Sequence, residues 1–269
     1  MSAKVLYTWD EFVSAYFSGI FKRTFNHVKD NVMTGFCFQP IGFIRSCFTE
    51  KFGIPRQPRL VPSATALLEI CPPFLSPEAF RELESFSHVW IVFVFHQCLD
   101  NKWKATVRPP RLGGNRRVGV FASRSGFRPN PIGQSAVELI SIEKSEKKIT
   151  LHLRGVDMLD GTPVLDIKPY LPYTDSLPAA RSGYADTAPP ARMKVGFSEK
   201  ASQTCGRLEK QSYPRLKRLI TDLLALDPRP GYADTVSKHA FGMRLWDLDI
   251  KFKAVDDRII VESVSQEKG

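Results

Sequence analysis

Between residues 36 and 168 the sequence consists of short β-branched and aromatic runs separated by turn residues. The most apolar run covers residues 87–96, and its composition predicts a central strand that is buried on both faces. Many short strands with few helices between them favour an antiparallel or mixed β-barrel over a parallel doubly wound sheet. We therefore expect a mainly β or α+β fold, with a barrel followed by a smaller α+β domain. The predicted strands of the barrel cover residues 36–44, 66–71, 88–97, 105–108, 117–123, 135–142, 148–154 and 163–168.

Three segments carry helical patterns. Residues 8–22 begin with a capping box of Thr8 and Glu11 and present a broad apolar stripe. This stripe is typical of a helix packed on its own domain or on a second copy, and a docking or membrane-surface helix shows the same pattern. A short helix is predicted at 76–84, where Ser and Pro occupy the first positions. Residues 214–227 place leucines and an isoleucine on one face, which predicts a further helix.

The second half of the chain has a different composition. Residues 172–192 are rich in Pro, Ala, Ser, Asp and Tyr, which suits a linker or an ordered crossing loop. Beyond them, residues 192–198 predict a strand, and residues 241–252 and 258–264 alternate like a closing hairpin. We therefore predict three regions, which are an N-terminal extension at 1–35, a β-barrel domain at 36–175 and a small α+β domain at 176–269.

The chain carries 38 Lys and Arg residues against 28 Asp and Glu, a formal net charge of +10. Such a charge concerns partners rather than fold, and it favours nucleic acid first and an anionic membrane surface second. The five cysteines include no C-x-x-C pair and the five histidines show no metal spacing, so we expect reduced thiols and no metal site. No apolar run approaches the ~20 residues that cross a bilayer, and the N-terminus lacks a signal-peptide pattern. A cytoplasmic protein is therefore expected.

The positive charge is concentrated at residues 101–137, which contain eight Arg or Lys residues and no Asp or Glu. A segment with charge of one sign repels itself unless an anion lies near it, so this segment indicates a polyanionic partner. Within it, residues 128–133 read Arg-Pro-Asn-Pro-Ile-Gly and cannot form a helix interior, because each proline removes a backbone donor. We expect a shaped loop that presents guanidinium and amide groups, and a solvated basic loop is the plainer interpretation.

Three further clusters could contribute to a pocket. Residues 95–97 (Phe-His-Gln) end the buried strand, residues 157–163 form a turn between strands, and residues 56–60 form a proline-restricted basic loop. Each cluster also has a purely structural interpretation, as a satisfied histidine, a hairpin turn or a solvated loop. The sequence contains no G-x-G-x-x-G after a strand, no P-loop and no G-x-S-x-G elbow, so the common mononucleotide and hydrolase folds receive no support.

Long ordered stretches of the chain carry a resemblance to a known family. They are Ile41–Ser46, Lys51–Pro58, Phe86–Trp90, Val107–Asn115, Val120–Ser125, Phe127–Gly133, Asp160–Leu171 and Asp227–Pro230. In these stretches the chain resembles the TrmO family, also called the TsaA-like or YaeB-like family. The resemblance extends from about residue 36 to the C-terminus, and residues 1–35 lie outside it.

The resemblance implies a β-barrel methyltransferase that uses S-adenosylmethionine and acts as a homodimer. Its implied substrate is threonylcarbamoyl-adenosine next to the anticodon of threonine tRNAs, which it methylates on the N6 nitrogen of the base. At Gln134 a backbone contact with the cofactor is expected rather than a side-chain contact. By position, the implied cofactor-binding residues are Pro58, Arg59, Leu60, His96, Gln97, Arg124, Gln134, Asp157, Met158, Leu159 and Asp160.

The implied reaction needs a base, because a nitrogen bonded to a carbonyl is a poor nucleophile until its proton is weakened. The candidate catalytic residues are His96, Asp160 and Asn130, with His96 or Asp160 as the base. Arg124, Arg128 and Asn130 are expected to hold the threonyl carboxylate and the carbamoyl oxygens, because guanidinium pairs well with carboxylate. The residues expected to bind the tRNA substrate are Arg108, Arg111, Arg116, Arg117, Arg128, Asn130, Arg229 and Tyr232.

Two other functions are compatible with the same sequence. A non-enzymatic RNA-binding barrel that senses the metabolite would share the basic loop and would transfer no methyl group. A peripheral membrane protein would use residues 8–22 together with the net positive charge.

Overall fold

The computed structural model describes residues 36–189, 193–229 and 240–266. The described residues from Pro40 onward form one compact unit. The predicted helix at 8–22 and the predicted RNA contact at Tyr232 lie outside the described residues. Within the described ranges, no helix is long and apolar enough to cross a membrane.

The first part of this unit is a closed antiparallel barrel, which confirms the predicted fold class. Its six strands are hydrogen-bonded in the order β1-β2-β7-β6-β3-β8, while β4 and β5 form a separate two-stranded ribbon. Every pair in the barrel is antiparallel, and β8 closes it by pairing with both β1 and β3. The strands are β1 (Gly42–Ser46), β2 (Thr65–Ile70), β3 (His88–Val94), β4 (Thr106–Val107), β5 (Val118–Gly119), β6 (Ile132–Lys144), β7 (Ile149–Arg154) and β8 (Pro163–Pro169).

Strand β3 is not buried on both faces, which corrects the expectation for residues 87–96. Val89 and Ile91 are fully buried, whereas the alternating residues His88 and Trp90 are only partly buried. The alternation follows from closure, because a barrel strand has one face inside and one outside. On the outer face, the indole of Trp90 donates to the Oδ2 atom of Asp175 over 2.9 Å, at the end of a short helix α1 (Pro172–Asp175).

Three predicted elements in this region are shorter than expected. The helix predicted at 76–84 is a pair of 3₁₀ turns, Pro77–Phe80 and Leu83–Ser85, separated by Glu82 in the left-handed conformation (φ 66°). The strand predicted at 36–44 begins only at Gly42. The strand predicted at 117–123 ends after two residues, and the 3₁₀ turn Val120–Ala122 follows it.

The C-terminal region is a four-stranded sheet with two helices. Its strands are ordered β10-β11-β12-β9, and β9 is parallel to β12. The helix predicted at 214–227 is confirmed. The sequence did not predict the other helix, which covers Glu199–Glu209. The segment predicted as one strand at 241–252 divides at Trp246, whose φ of 52° turns the chain between two strands. The elements are β9 (Lys194–Phe197), α2 (Glu199–Glu209), α3 (Leu216–Ala225), β10 (Phe241–Leu245), β11 (Leu248–Val255) and β12 (Arg258–Gln266).

One hydrophobic core connects the barrel with the C-terminal sheet. It extends from Ile91 and Leu151 inside the barrel to Leu219 in α3 and Ile250 in β11. The barrel and the C-terminal sheet are thus two separate sheets that share a core.

A cross-strand contact in the barrel gives a test of this packing. Gly133 of β6 pairs with Phe93 of β3, and a Cβ atom at Gly133 would lie 2.3 Å from the Phe93 ring. We expect Gly133→Ala to lower the free energy of unfolding by roughly 1–3 kcal/mol, because the ring must leave its position in a packed core. Urea denaturation measures the difference.

The matched control is Gly206→Ala in the interior of α2, where a Cβ atom meets no atom within 4 Å. That variant should gain about 1 kcal/mol of stability from the higher helix propensity of alanine. Equal effects of the two substitutions would contradict the proposed contact between Gly133 and Phe93.

Candidate functional site

A cavity of about 600 Å³ lies at one end of the barrel. Four loop segments meet there, because in an antiparallel barrel the strand connections alternate between the two ends. Trp90, Phe93, Phe95 and Phe127 contribute aromatic surface to it. A concave, largely apolar site of this volume suits a small molecule the size of a nucleoside cofactor. The four segments that supply its lining lie within residues 51–58, 90–98, 123–135 and 157–162.

The four clusters singled out in the sequence therefore share one cavity. The backbone N–H of Phe95, at the end of β3, donates to the carbonyl of Pro131 over 2.8 Å, so the Arg-Pro-Asn-Pro loop lies directly beside the Phe-His-Gln turn. The turn after β7 contributes Asp157, Met158, Leu159 and Thr162 to the lining of the same cavity. Of the residues predicted to bind the cofactor, the cavity is lined by Pro58, His96, Gln97, Arg124, Gln134, Asp157, Met158 and Leu159.

Asp157 supplies the one carboxylate among the described residues that line the cavity. Burial raises the pKa of this carboxyl from 3.8 to about 6. The Ser135 hydroxyl opposes the rise, since it donates to Asp157 Oδ1 over 2.7 Å, and the charge of Arg124 opposes it more weakly. The carboxyl thus changes its charge near pH 6, within the range where an acid or base is useful in catalysis.

His96 lies in a 3₁₀ turn immediately after β3. Burial lowers the pKa of its imidazole, the positive charge of Lys51 lowers it further, and Asp160 acts in the opposite direction. The imidazole is therefore neutral at neutral pH and can accept a proton. Whether the accepting nitrogen faces the cavity depends on the tautomer, which hydrogen bonding of a ligand would select.

The charges around the cavity are mainly positive. Lys51, Arg56, Arg124 and Arg128 all line it, against the single carboxylate of Asp157. The Arg124 guanidinium donates to the Gln57 side-chain oxygen over 2.5 Å, which ties the basic segment to the loop after β1. An excess of cations beside one carboxylate suits a ligand that carries both signs of charge, or two ligands of which one is anionic.

The structure places Asp160 outside the lining of this cavity. Its Oδ1 atom accepts a hydrogen bond from the backbone N–H of Ser46 over 3.0 Å, and its own N–H donates to the carbonyl of Phe48. The side chain lies instead at a second cavity of about 470 Å³, together with Cys47 and His152. Asp160 stands only three residues beyond Asp157 in the same turn, yet the two carboxylates line different cavities.

Three other residues predicted for cofactor binding or catalysis also lie outside the lining, which are Arg59, Leu60 and Asn130. Arg59 adopts φ 66° and donates its backbone N–H to the carbonyl of Gly155 over 2.8 Å, so it fixes the start of the turn that carries Asp157. Asn130 is exposed, and its carbonyl accepts from the N–H of Ile132 within the loop.

Besides Arg111, which is also exposed, three of the predicted RNA-binding arginines lie on the surface. Arg108 and Arg116 are exposed, and Arg117 is exposed while one of its amino groups donates to the Thr106 hydroxyl over 3.2 Å. This last contact holds Arg117 on the β4–β5 ribbon. The ribbon and its connecting loop therefore present guanidinium groups to solvent near the cavity.

Three others make contacts within the protein. Arg111 donates from Nε to the carbonyl of Tyr184 over 3.0 Å and from Nη2 to Thr187. Arg128 donates from Nη1 to the carbonyl of Ser123 over 2.7 Å, which stabilises its own loop. Arg229, predicted to contact the tRNA, is only 7% exposed, and its guanidinium pairs with Asp227.

Sequence reasoning missed Ser135 and the aromatic wall of the cavity. Ser135 is 2% exposed, and its hydroxyl is committed to Asp157. A signal was present, because a serine at the inward position of a barrel strand needs a hydrogen-bond partner. Trp90, Phe93 and Phe95 were assigned to a strand buried on both faces, whereas they line the cavity.

The described residues contain no group of three or more His, Cys, Asp and Glu side chains that could hold a metal ion. The polar groups of the cavity are hydroxyl, amide, guanidinium, ammonium, imidazole, one thiol and one carboxylate, a set that suits an organic ligand better than a metal ion.

Comparison with known proteins identifies relatives over most of the chain. Residues 43–176 match the family model of the tRNA-methyltransferase O N-terminal domain, and residues 190–267 match that of the TrmO C-terminal domain. A protein of Escherichia coli named tRNA (adenine(37)-N6)-methyltransferase is 48% identical over 226 residues, which is 83% of this chain and 95% of that protein.

Two comparisons with Pseudomonas aeruginosa agree. One protein, named provisionally as an S-adenosylmethionine-dependent methyltransferase, is 52% identical over 78% of this chain and 89% of its own length. The crystal structure of a TrmO from that organism superposes with a TM-score of 0.74 at 43% identity, covering 88% of this chain and all of the other. In sequence and in fold, the chain belongs to the tRNA-methyltransferase O family.

Proposed function

We propose that this protein transfers a methyl group from S-adenosylmethionine to the N6 nitrogen of threonylcarbamoyl-adenosine, next to the anticodon of threonine tRNAs. The observation that carries the proposal is the cavity in which four separate loops bring one partly protonated carboxylate, Asp157, together with four cationic side chains. The names of the similar Escherichia coli and Pseudomonas aeruginosa proteins supply the reaction class and the methyl donor.

The residues of the cavity fit S-adenosylmethionine. The cofactor carries a sulfonium and an ammonium group, for which Asp157 is the available counter-charge, and a carboxylate, for which Arg124 is suited. Its adenine ring can lie against the aromatic side chains of the lining. When bound, the sulfonium supplies a methyl group that is already activated. Orientation within a closed site can then contribute roughly 7–11 kcal/mol to lowering the barrier.

The proton on N6 has to be weakened or removed, and a positioned base contributes typically ~10²–10⁴-fold to such a step. His96 and Asp157 are the two groups of the lining that can accept a proton, the first because it is neutral and the second because its pKa is about 6. Asp160 is not proposed as the base, because its carboxylate accepts from the backbone of Ser46.

The basic segment is proposed to bind the anticodon arm. Arg108, Arg116 and Arg117 are exposed on the β4–β5 ribbon and its loop, and this segment contains no acidic residue that would neutralise them. Phosphate contacts of this kind fix the register of the RNA. The threonyl carboxylate of the modified base would enter the cavity beside its cationic side chains, which are Lys51, Arg56, Arg124 and Arg128.

We also propose that the protein acts in the cytoplasm as a homodimer. The five cysteines are all free thiols, which suits a reducing compartment. The dimer is supported by the family resemblance, and analytical ultracentrifugation tests it.

The reaction is tested by incubating the purified protein with methyl-labelled S-adenosylmethionine and tRNA with or without the threonylcarbamoyl group. Label should enter modified threonine tRNA only, and nucleoside mass spectrometry should place it on N6 of the adenosine next to the anticodon. Binding of RNA and cofactor without any transfer of label would instead favour the non-enzymatic sensor.

The salt dependence of tRNA binding tests the role of the exposed arginines. Arg116→Ala with Arg117→Ala should weaken binding and reduce the slope of log K against log salt by about 1.5–2, because each phosphate contact releases nearly one counterion. Filter binding or fluorescence anisotropy at several salt concentrations measures the slope.

The matched control is Lys147→Ala with Lys148→Ala, which removes the same charge from the hairpin between β6 and β7. Strand β6 has 13 residues, so this hairpin lies roughly 40 Å from the end of the strand at the cavity. The control should leave the slope unchanged, and the same slope in both double variants would contradict the assignment.

The pH profile tests the role of Asp157. Methyl transfer should fall with decreasing pH around an apparent pKa near 6, because the carboxylate loses its charge there. Ser135→Ala removes a hydrogen bond that favours the charged form, so the acid limb should move to higher pH while the rate above it changes little. Asp157→Asn should abolish the limb together with most of the activity.

Ser145→Ala is the control for this profile, since the Ser145 hydroxyl donates to the carbonyl of Lys148 in the distant hairpin. Its acid limb should coincide with that of the unmodified protein. A limb that stays in place in Ser135→Ala would show that another group titrates.

A further inference from the structure

We propose that Phe121 is a stacking platform for one unpaired nucleobase of the anticodon loop, beside the base that enters the cavity. This inference rests on the proposed function and names a specificity contact of the same site. The residue lies in the 3₁₀ turn Val120–Ala122, directly before Ser123 and Arg124 of the cavity lining. It is 74% exposed, although Val120 beside it is 2% exposed.

The turn that carries Phe121 is held on several sides. The carbonyl of Val120 accepts from Arg128 Nη1 over 3.2 Å and from the Ser123 hydroxyl over 2.8 Å. The carbonyl of Ala122 accepts from the Tyr184 hydroxyl over 2.8 Å. The Phe121 ring is therefore presented outward by a fixed backbone, and a pre-ordered side chain loses little entropy when it binds.

The Tyr184 contact is itself supported by Arg111. The Arg111 guanidinium donates to the carbonyl of Tyr184 over 3.0 Å and to Thr187, so the segment 183–187 is drawn against the basic rim. Arg111 and Arg128, two arginines that the sequence predicts to bind RNA, thus help to position the turn that carries Phe121.

The chemistry around Phe121 selects a nucleobase over an apolar protein surface. The Arg128 guanidinium lies 5.7 Å from the centre of the ring, a cation–π geometry that leaves the opposite face for a partner. The surrounding segment, residues 101–137, carries eight cations and no carboxylate. Aromatic rings stack on unpaired bases with little sequence preference, and neighbouring cations hold the phosphates on either side.

The experiment compares the unmodified protein with Phe121→Leu and Phe121→Tyr, using anticodon stem-loop RNAs that carry threonylcarbamoyl-adenosine. Leucine keeps an apolar side chain and removes the ring, whereas tyrosine keeps a ring that can stack. Affinity is measured for the intact stem-loop and for a series in which one loop base at a time is removed while the backbone remains. Cofactor affinity, urea stability and sedimentation are measured for each variant.

Phe121→Leu should bind the intact stem-loop about 5- to 100-fold more weakly, and Phe121→Tyr should bind it almost normally. Removal of the partner base should weaken binding of the unmodified protein by a similar factor and leave Phe121→Leu unaffected. The salt slope, cofactor affinity and stability of Phe121→Leu should stay unchanged, because no charge and no buried contact is lost. This combination distinguishes stacking from a structural role of the ring.

Equal affinity of Phe121→Leu and the unmodified protein would overturn the proposal. The proposal would also be overturned if removal of each loop base weakened RNA binding by Phe121→Leu as much as it weakens binding by the unmodified protein. A change in the self-association of Phe121→Leu would overturn it too, because the ring would then lie in a contact between copies of the chain. Failure of the proposed function gives a different result. If Phe121 stacks on the base and RNA binding is normal but no methyl group is transferred, the stacking proposal stands and the proposed methyltransferase function is wrong.

Discussion

The turn between β7 and β8 is hydrogen-bonded to β1, and the barrel and its cavity both depend on this contact. The Ser46 hydroxyl donates to the carbonyl of Met158 over 2.8 Å, and the backbone N–H groups of Asp160 and Gly161 donate to Phe48 and Ile44. Because β8 then pairs with both β1 and β3, the same contact closes the barrel. It also explains the position of Asp160, whose carboxylate accepts from Ser46 at this contact, while Asp157 lines the cavity.

Burial in the cavity disfavours the charged forms of both His96 and Asp157. Burial keeps His96 neutral and raises the pKa of Asp157 to about 6, while Arg124 is held by Gln57 at the rim. Burial costs a carboxylate its hydration, and here the Ser135 hydroxyl, a backbone hydrogen bond and the charge of Arg124 compensate for only part of that cost. A bound cation would offset the remaining cost. The same desolvation that disfavours the Asp157 carboxylate therefore favours a positively charged ligand, such as a sulfonium, beside it.

The sequence was sufficient to predict the barrel, most of its strands and the four loops that meet at the cavity, because strand period and turn residues are local signals. Details that depend on the direction of a single side chain could not be read in the same way. Asp157 and Asp160 stand in one turn, and only the tertiary hydrogen bonds to β1 separate their roles. Helix α2 was missed because its buried face consists of Ala201, Cys205 and Leu208, which are small or few, although Ser198 is an N-cap.

The basic segment contains two groups of arginines with different roles, and composition alone could not distinguish them. Arg111, although exposed, and Arg128 donate to backbone carbonyls and shape the rim, while Arg108 and Arg116 are exposed on the same segment. The guanidinium groups of Arg111 and Arg128 order the positively charged loop, because each donates a charge-assisted hydrogen bond to a backbone carbonyl that would otherwise bind water. The second group can then meet phosphates without first ordering the loop. Removing Arg111 should therefore disturb the position of Phe121 and leave the number of counterions released on RNA binding unchanged, the reverse of what removal of Arg116 does.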